Sequence, residues 1–221
     1  MRREDLIVKD VPRHVVADGR GAYDRWVLVR ADAREAGIQP SCQVRTVREA
    51  AEAATVAPLP DIQIVDLRDA ADGERASGLG FGRLVHELLA RASFDAPAES
   101  LVQLAMVHAR LLDQPADDAR AAARVAERVL ASELLQRAHA ADRRGACRRE
   151  TPVMLRDGDG VLVEGTVDLA FEEAGRWTIV DFKTDRQAVA GTPSYVRQVQ
   201  LYADAVASAT GVPAHAIIVQ I

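Results

Sequence analysis

Hydrophobic positions recur at two different spacings along this chain, and the change from one to the other divides it. Leu84, Val85, Leu88 and Leu89 form an apolar stripe at helical spacing, which predicts a helix over 81–92. Stretches rich in strong helix formers, notably Ala, Arg and Glu, predict two more helices over 98–113 and 117–140. The period then shortens. Segments 150–156, 161–172 and 176–182 read as strands, separated by turn signals at Asp157-Gly158-Asp159-Gly160 and Ala174-Gly175, and so predict a three-stranded meander. Pro193 and Gly211 bracket a last helix over 194–210, and 214–221 reads as a final strand. With 98–140 set aside as a helical insertion, the order is α-β-β-β-α-β.

The first part of the chain is less regular. Apolar runs at 6–8 and 26–29 predict short strands, 45–54 a helix, and 62–67 alternates like a strand. The segment 69–80 is rich in Ala, Asp and Gly without apolar period, as expected of a linker. The expected division is an N-terminal extension, 1–77, and a main domain, 78–221. A chain of 221 residues fits one substantial core with an appended element. No period of roughly 20–50 residues repeats, which argues against a solenoid.

Composition narrows the class. At 48% hydrophobic and 28% charged residues the chain is globular in type, and no apolar run approaches the ~20 residues of a membrane span. The opening MRREDLIVKD lacks the apolar stretch of a secretory signal, so the default expectation is cytoplasmic. With only Cys42 and Cys147, the chain by itself builds neither a four-thiolate zinc site nor a four-cysteine iron–sulfur cluster, and both read as reduced, structural thiols. The net charge of −5 argues against a uniformly basic nucleic-acid wrapper. Arg143, Arg144, Arg148 and Arg149 nevertheless form a local basic patch, either a phosphate contact or a solvated Arg-rich connection.

The candidate chemistry lies mostly in the meander. In the run Ile179-Val180-Asp181-Phe182-Lys183-Thr184, strand alternation puts Asp181 and Lys183 on one face and Phe182 on the other. Alone, such a pair is most simply a strand-end ion pair. Asp168, thirteen residues earlier in an otherwise apolar strand, changes the picture, because a hairpin at Ala174-Gly175 brings the two carboxylates side by side. Adjacent buried anions repel, and a divalent metal is the natural counter-charge; oxygen ligands suit Mg²⁺ or Mn²⁺. The bland alternative is a structural Asp satisfied by backbone donors. Gly165 marks a bulge, a close backbone approach or a packing contact.

His86 lies off the centre of its apolar stripe and by itself is a surface histidine. Glu150 follows the Arg cluster and by itself is an Arg-paired carboxylate. Gln198 and Tyr202, four apart on the last helix with Tyr195 and Arg197 nearby, share a face suited to DNA backbone or to orienting Lys183; a Tyr there is equally a packing residue.

Together, Gly82-x-x-x-His86, the Arg149-Glu150-Thr151-Pro152 strand, Gly165-Thr166-Val167-Asp168, Val180-Asp181-Phe182-Lys183-Thr184 and Gln198-x-x-x-Tyr202 resemble the RecB-like nuclease domain of the PD-(D/E)XK superfamily. That domain ends many helicase-nucleases, including AddA, RecB and UvrD/Rep-type proteins. The resemblance covers about 78–221 and implies an α/β (α+β), restriction-endonuclease-like mixed sheet flanked by helices. It implies Mg²⁺ or Mn²⁺ held by His86, Asp168 and Asp181, with Lys183 orienting the attacking water and Glu150 a further catalytic carboxylate. Gln198 and Tyr202 match the family's DNA-positioning motif, to which Arg148 and Arg149 are added as DNA contacts. The implied activity is a DNA exonuclease in double-strand break repair and recombination, acting on linear ends or single strands with a helicase motor in cis or in trans.

No Walker A loop, G-x-x-x-x-G-K-[ST], occurs, so the chain is not an ATP-driven helicase by itself. Residues 1–77 are then expected to be a remnant of the preceding helicase segment, and the missing cluster cysteines favour the AddA or RecB side of the family. The competing reading is a silent nuclease-fold module that grips DNA or docks on a helicase. Nothing in the residues reads a 2′-hydroxyl.

Overall fold

The computed structural model describes residues 12–53, 62–69, 78–184 and 192–221. The strand expected over 6–8 and most of the linker over 69–80 lie outside the described residues. The chain divides into two compact units, Met1–Gln43 and Val44–Ile221. Among the described residues, no helix is long and apolar enough to cross a membrane.

Among its described residues, the first unit is built on α1 (Arg13–Ile38), a helix of 26 residues with none buried. The strand predicted over 26–29 is therefore corrected to helix. Four apolar residues in a row fit either element, and the long flanks rich in Ala, Arg and acidic residues decide the outcome. Tyr23 and Trp26 rings lie 5.8 Å apart, with the Arg30 guanidinium 5.1 Å from the Trp26 centroid.

Among its described residues, the second unit is a six-stranded mixed sheet with helices on both faces. In chain order it comprises β1 (Val44–Thr46), α2 (Val47–Ala53), β2 (Gln63–Asp66), α3 (Leu79–Arg91), α4 (Ala98–Leu111), α5 (Ala116–Ala131), α6 (Glu133–Asp142), β3 (Cys147–Arg156), β4 (Leu162–Glu173), β5 (Arg176–Lys183), α7 (Pro193–Thr210) and β6 (Ala214–Gln220). The spatial order is β1-β4-β5-β6-β2, with β3 also on β4. Pairs β3/β4 and β4/β5 are antiparallel; β1/β4, β5/β6 and β2/β6 are parallel. The expected α-β-β-β-α-β order is that of α3, β3, β4, β5, α7 and β6, with α4–α6 as the insertion. β1 and β2 precede residue 78, so the sheet draws on both sides of the 77/78 division expected from sequence.

The helix predicted over 117–140 is two helices. Ser132 is extended (φ −66°, ψ 151°), and its hydroxyl accepts from Leu135 N at 3.4 Å while donating to Val129 O at 2.6 Å, so it caps the start of α6. The β4–β5 hairpin closes through Ala174 (φ 49°) and Gly175 (φ 73°), both left-handed as a tight two-residue turn requires.

Two cores sandwich the sheet. On one face Leu84, Val85 and Leu88 of α3 pack with residues of α4–α6 against Leu169, Phe171, Val180, Phe182, Ile217 and Val219. Each fully buried Leu of this kind is worth roughly 1.5–3 kcal/mol. On the other, Val47 of α2 and Val196, Val199, Tyr202 and Val206 of α7 cover Val163, Val167, Ala170, Ile179 and Ile218. β5 and β6 alternate between the cores as strands should. β4 does not: Val163 and Val167 face α7, whereas Leu169 and Phe171 face α3–α6. The phase of the strand changes at Asp168. On β3 the pairs Arg149↔Leu169 and Thr151↔Val167 bracket Glu150, which stands opposite Asp168 outside the ladder with φ 45°.

Strand β1 reaches only Leu162–Glu164 of β4, and β5 begins pairing at Leu169 on the same edge, since β3 fills the other. Among the described residues, no strand pairs with 165–168 on that edge. The functional candidates gather beside this opening.

Candidate active site

α3 brings His86 to the end of β5 because Gly82, one turn earlier, permits close approach: a β-carbon there would lie 2.5 Å from Thr184 Oγ1. His86 Nε2 lies 3.1 Å from the Phe182 carbonyl oxygen, and Nδ1 lies 3.5 Å from Asp168 Oδ1. The other oxygen of Asp168 accepts from Phe182 N at 2.8 Å, which ties β4 to β5 just beyond their last ladder pair. Imidazole nitrogen and carboxylate oxygens of His86, Glu150 and Asp168 all lie within 4.8 Å of one another. Of the residues predicted to hold a metal, His86 and Asp168 stand in this trio; Glu150, predicted as catalytic, completes it.

Asp181 and Lys183 share one face as alternation predicts, and the site opens there. Asp181 is buried and its Oδ2 lies 2.7 Å from Lys183 Nζ, yet among the described residues no donor makes a well-directed hydrogen bond to that oxygen. Lys183 Nζ also lies 4.5 Å from the Tyr195 ring centroid. The main chain of Lys183 accepts from Ile221 N at 3.0 Å, so the strand end is held from below.

The electrostatics describe a surplus of anions. Burial, then the Asp168 charge, raises the Asp181 carboxyl to about 6 against the opposing Lys183 ammonium. Burial, then Asp168, also raises Glu150. For His86, burial favours the neutral ring, but Asp168, Asp181 and Glu150 outweigh it and raise the pKa to about 9. Lys183 is likewise raised, Asp181 prevailing over burial. The set of one imidazole nitrogen and several carboxylate oxygens, one of them buried without a directed donor, fits a hard divalent cation.

The remaining predicted residues are dispersed. Gln198 Nε2 donates to Tyr202 Oη at 3.4 Å, and the Tyr202 ring is buried against Gly165. A β-carbon on Gly165 would lie 2.7 Å from Tyr202 Cε1, so this glycine makes room for a side chain. Arg148 donates to the carbonyls of Gly145 (2.9 Å) and Cys147 (2.7 Å), and Arg144 to those of Ala140 (2.8 Å) and Glu172 (3.2 Å). Arg149 is half-buried and turned onto the protein. Three of the four arginines of the expected patch thus bond their own main chain.

Sequence reasoning missed Arg48 of α2. It helps line a cavity of about 440 Å³ with Lys183, Thr192, Ser194, Tyr195 and Gln198. It also lines an adjoining cavity of about 430 Å³ with Met154, Gly165 and Tyr202. No local pattern marks it, because only the pairing of β1 with β4 brings α2 beside α7.

A family profile described as the PD-(D/E)XK nuclease superfamily matches residues 63–221. No curated protein sequence matches the chain. The matched span begins at β2 and runs to the last residue, taking in the sheet from β2 through β6 and every candidate side chain from His86 to Tyr202, and on that extent the chain belongs to the PD-(D/E)XK nuclease superfamily.

Proposed function

We propose that the protein is a Mg²⁺- or Mn²⁺-dependent deoxyribonuclease of the RecB-like branch. The observation that carries the reading is the meeting of His86, Glu150 and Asp168 within 4.8 Å, beside the Asp181–Lys183 pair, at the opening in the sheet. His86, Asp168 and Asp181 are the residues assigned to hold the metal, with Glu150 as a further carboxylate. A bound divalent ion supplies a polarised phosphate and a water of lowered pKa.

The chain's own groups do the rest. Lys183 carries its positive charge at the mouth of the site, suited to donating to a phosphate oxygen or to holding the attacking water, while Asp181 keeps its ammonium in place. Phe182 fixes both Asp168 and His86 through its main chain. Gln198 and Tyr202 line the adjoining cavities and support a path for a nucleic-acid strand, with Tyr195 closing the Lys183 side. Arg148 remains part of this proposal as a rim contact. Exonucleolytic attack on linear DNA, a role in recombinational repair and association with a helicase motor follow from the RecB-like likeness. So does the assignment of 78–221 as the RecB-like nuclease domain and of 1–77 as an N-terminal extension, a remnant of the preceding helicase segment.

The test is release of nucleotides from end-labelled linear DNA with added Mg²⁺ or Mn²⁺. Asp181→Ala and Lys183→Ala are each expected to lower the rate by about 10²-fold or more, the scale for losing one electrostatic stabiliser. Equal release by all three proteins sinks the assignment and leaves the non-catalytic module.

A further inference from the structure

Arg149 has no part in the chemistry above, and its side chain faces inward. One guanidinium nitrogen, Nη1, donates to the carbonyls of Leu89 (3.0 Å) and Ala92 (2.5 Å). The guanidinium carbon lies 3.6 Å from the centroid of the Phe94 ring, which in turn stacks on His139. The carbonyls it meets are at the C-terminal end of α3, where the last turn has no intrahelical donors and a cation is favourable. His86 is on that same helix, one turn before Leu89.

The strand side of the contact is equally specific. Glu150 follows Arg149 directly and holds a left-handed backbone, φ 45°, a conformation that a non-glycine residue keeps only where its surroundings enforce it. Behind it the Thr151 hydroxyl donates to the Arg149 carbonyl at 3.4 Å, and the β3/β4 ladder resumes at Thr151↔Val167. In front of it, the side-chain anchor is Arg149. One side chain therefore joins the helix that carries His86 to the strand position that turns Glu150 toward it.

We propose that Arg149 is a positioning residue for the acidic cluster: by clamping β3 to the end of α3 it holds the Glu150 carboxylate beside His86 and Asp168. Its function is thus internal, in place of the DNA contact expected from the Arg-rich run. The proposal rests on the metal-dependent reading of the site. A planar guanidinium that both donates to carbonyls and stacks on a ring is not replaced by an ammonium, so Lys is a poor substitute here.

The experiment is a Mn²⁺ titration, by calorimetry or by the free-Mn²⁺ electron-spin signal, of the full chain and of Arg149→Met, Glu150→Gln and the double variant. Binding of a labelled single-stranded oligonucleotide without metal is measured on the same proteins. Met keeps an unbranched stem over Phe94 and removes both donors. Losing a supporting partner of a ligand typically costs about 10–100-fold in metal affinity. Arg149→Met and Glu150→Gln are each expected to weaken Mn²⁺ by about tenfold or more, and the double variant by about the same, because a displaced carboxylate has nothing further to lose. Metal-free DNA affinity is expected to stay within about twofold.

Wild-type Mn²⁺ affinity in Arg149→Met, or two losses that multiply in the double variant, overturns the proposal while the metal reading stands. Loss of metal-free DNA binding in Arg149→Met overturns it in favour of a DNA contact. A wild type that takes up no Mn²⁺ overturns the underlying reading and this proposal with it. If Arg149→Met does not fold, the same cycle with Arg149→Lys decides: losses that multiply overturn the proposal, and losses that do not multiply support it.

Discussion

Gly165 shows how much a single hydrogen atom can decide. A β-carbon at this position would meet Tyr202 Cε1 at 2.7 Å and Val47 Cγ2 at 2.9 Å, from two elements packed on the same face. Gly165→Ala is expected to destabilise the fold by roughly 1–3 kcal/mol, the range for overpacking. A denaturant midpoint unchanged from wild type would show that Tyr202 yields freely. The two cysteines differ in the same local way. Burial, then Asp142, pushes the Cys147 thiol up to about 11, whereas Cys42 is exposed. Because only the thiolate reacts, iodoacetamide at pH 8 is expected to label Cys42 and spare Cys147 in the folded protein; two labels gained at one rate would contradict this. At this scale Asp181 and Lys183 were legible, since strand alternation alone puts them on one face. By themselves Glu150 and Arg149 read as a charged run, and only the family resemblance marked Glu150 as catalytic and Arg149 as a DNA contact. The left-handed backbone of Glu150 and the bonds of Arg149 to carbonyls about sixty residues away leave no local pattern.

Between residues and the whole stand the elements, most of which were legible from period and punctuation. The α7 limits follow from Pro193 and Gly211, and the β4–β5 hairpin from Ala174-Gly175. The break between α5 and α6 was not, because Ser132 interrupts a run of good helix formers with no Gly or Pro to announce it. Ser132→Ala removes the acceptor for Leu135 N and is expected to cost about 1 kcal/mol in a thermal melt analysed at constant pH. The β5–β6 pair carries a titratable contact: His215, opposite Thr178, has a buried Nδ1 with no hydrogen-bond partner among the described residues and a pKa lowered first by burial and then by Arg176. A histidine whose folded pKa lies below its unfolded value near 6.5 binds its proton more readily when unfolded. Its contribution to stability is therefore complete above about pH 6.5 and declines as pH falls below that. His215→Gln is expected to flatten stability between pH 6.5 and 5; a variant that follows the wild-type curve would rule this out.

Taken whole, the molecule draws its two shortest strands from the least legible part of the chain. β1 and β2 are three and four residues long, and both are recruited by parallel pairing to strands more than a hundred residues away. Alternation over 62–67 marks β2, whereas β1 is too short to show a period, and the 77/78 division follows the Ala-, Asp- and Gly-rich segment downstream of both. Comparing a protein that begins at residue 44 with one that begins at residue 67 tests their weight. The shorter form loses β1 and β2 along with buried Val47 and Ala51, and is expected to melt lower; equal melting would show these strands to be dispensable. The change of phase at Asp168 has its own consequence at this scale. Odd-numbered residues of β4 report on two different compartments, Val163 and Val167 on the layer under α7, Leu169 and Phe171 on the helical layer opposite. A truncation at Val163 and one at Leu169, six residues apart on a single strand, would loosen opposite sides of the protein, with the carboxylate between them as the fixed pivot.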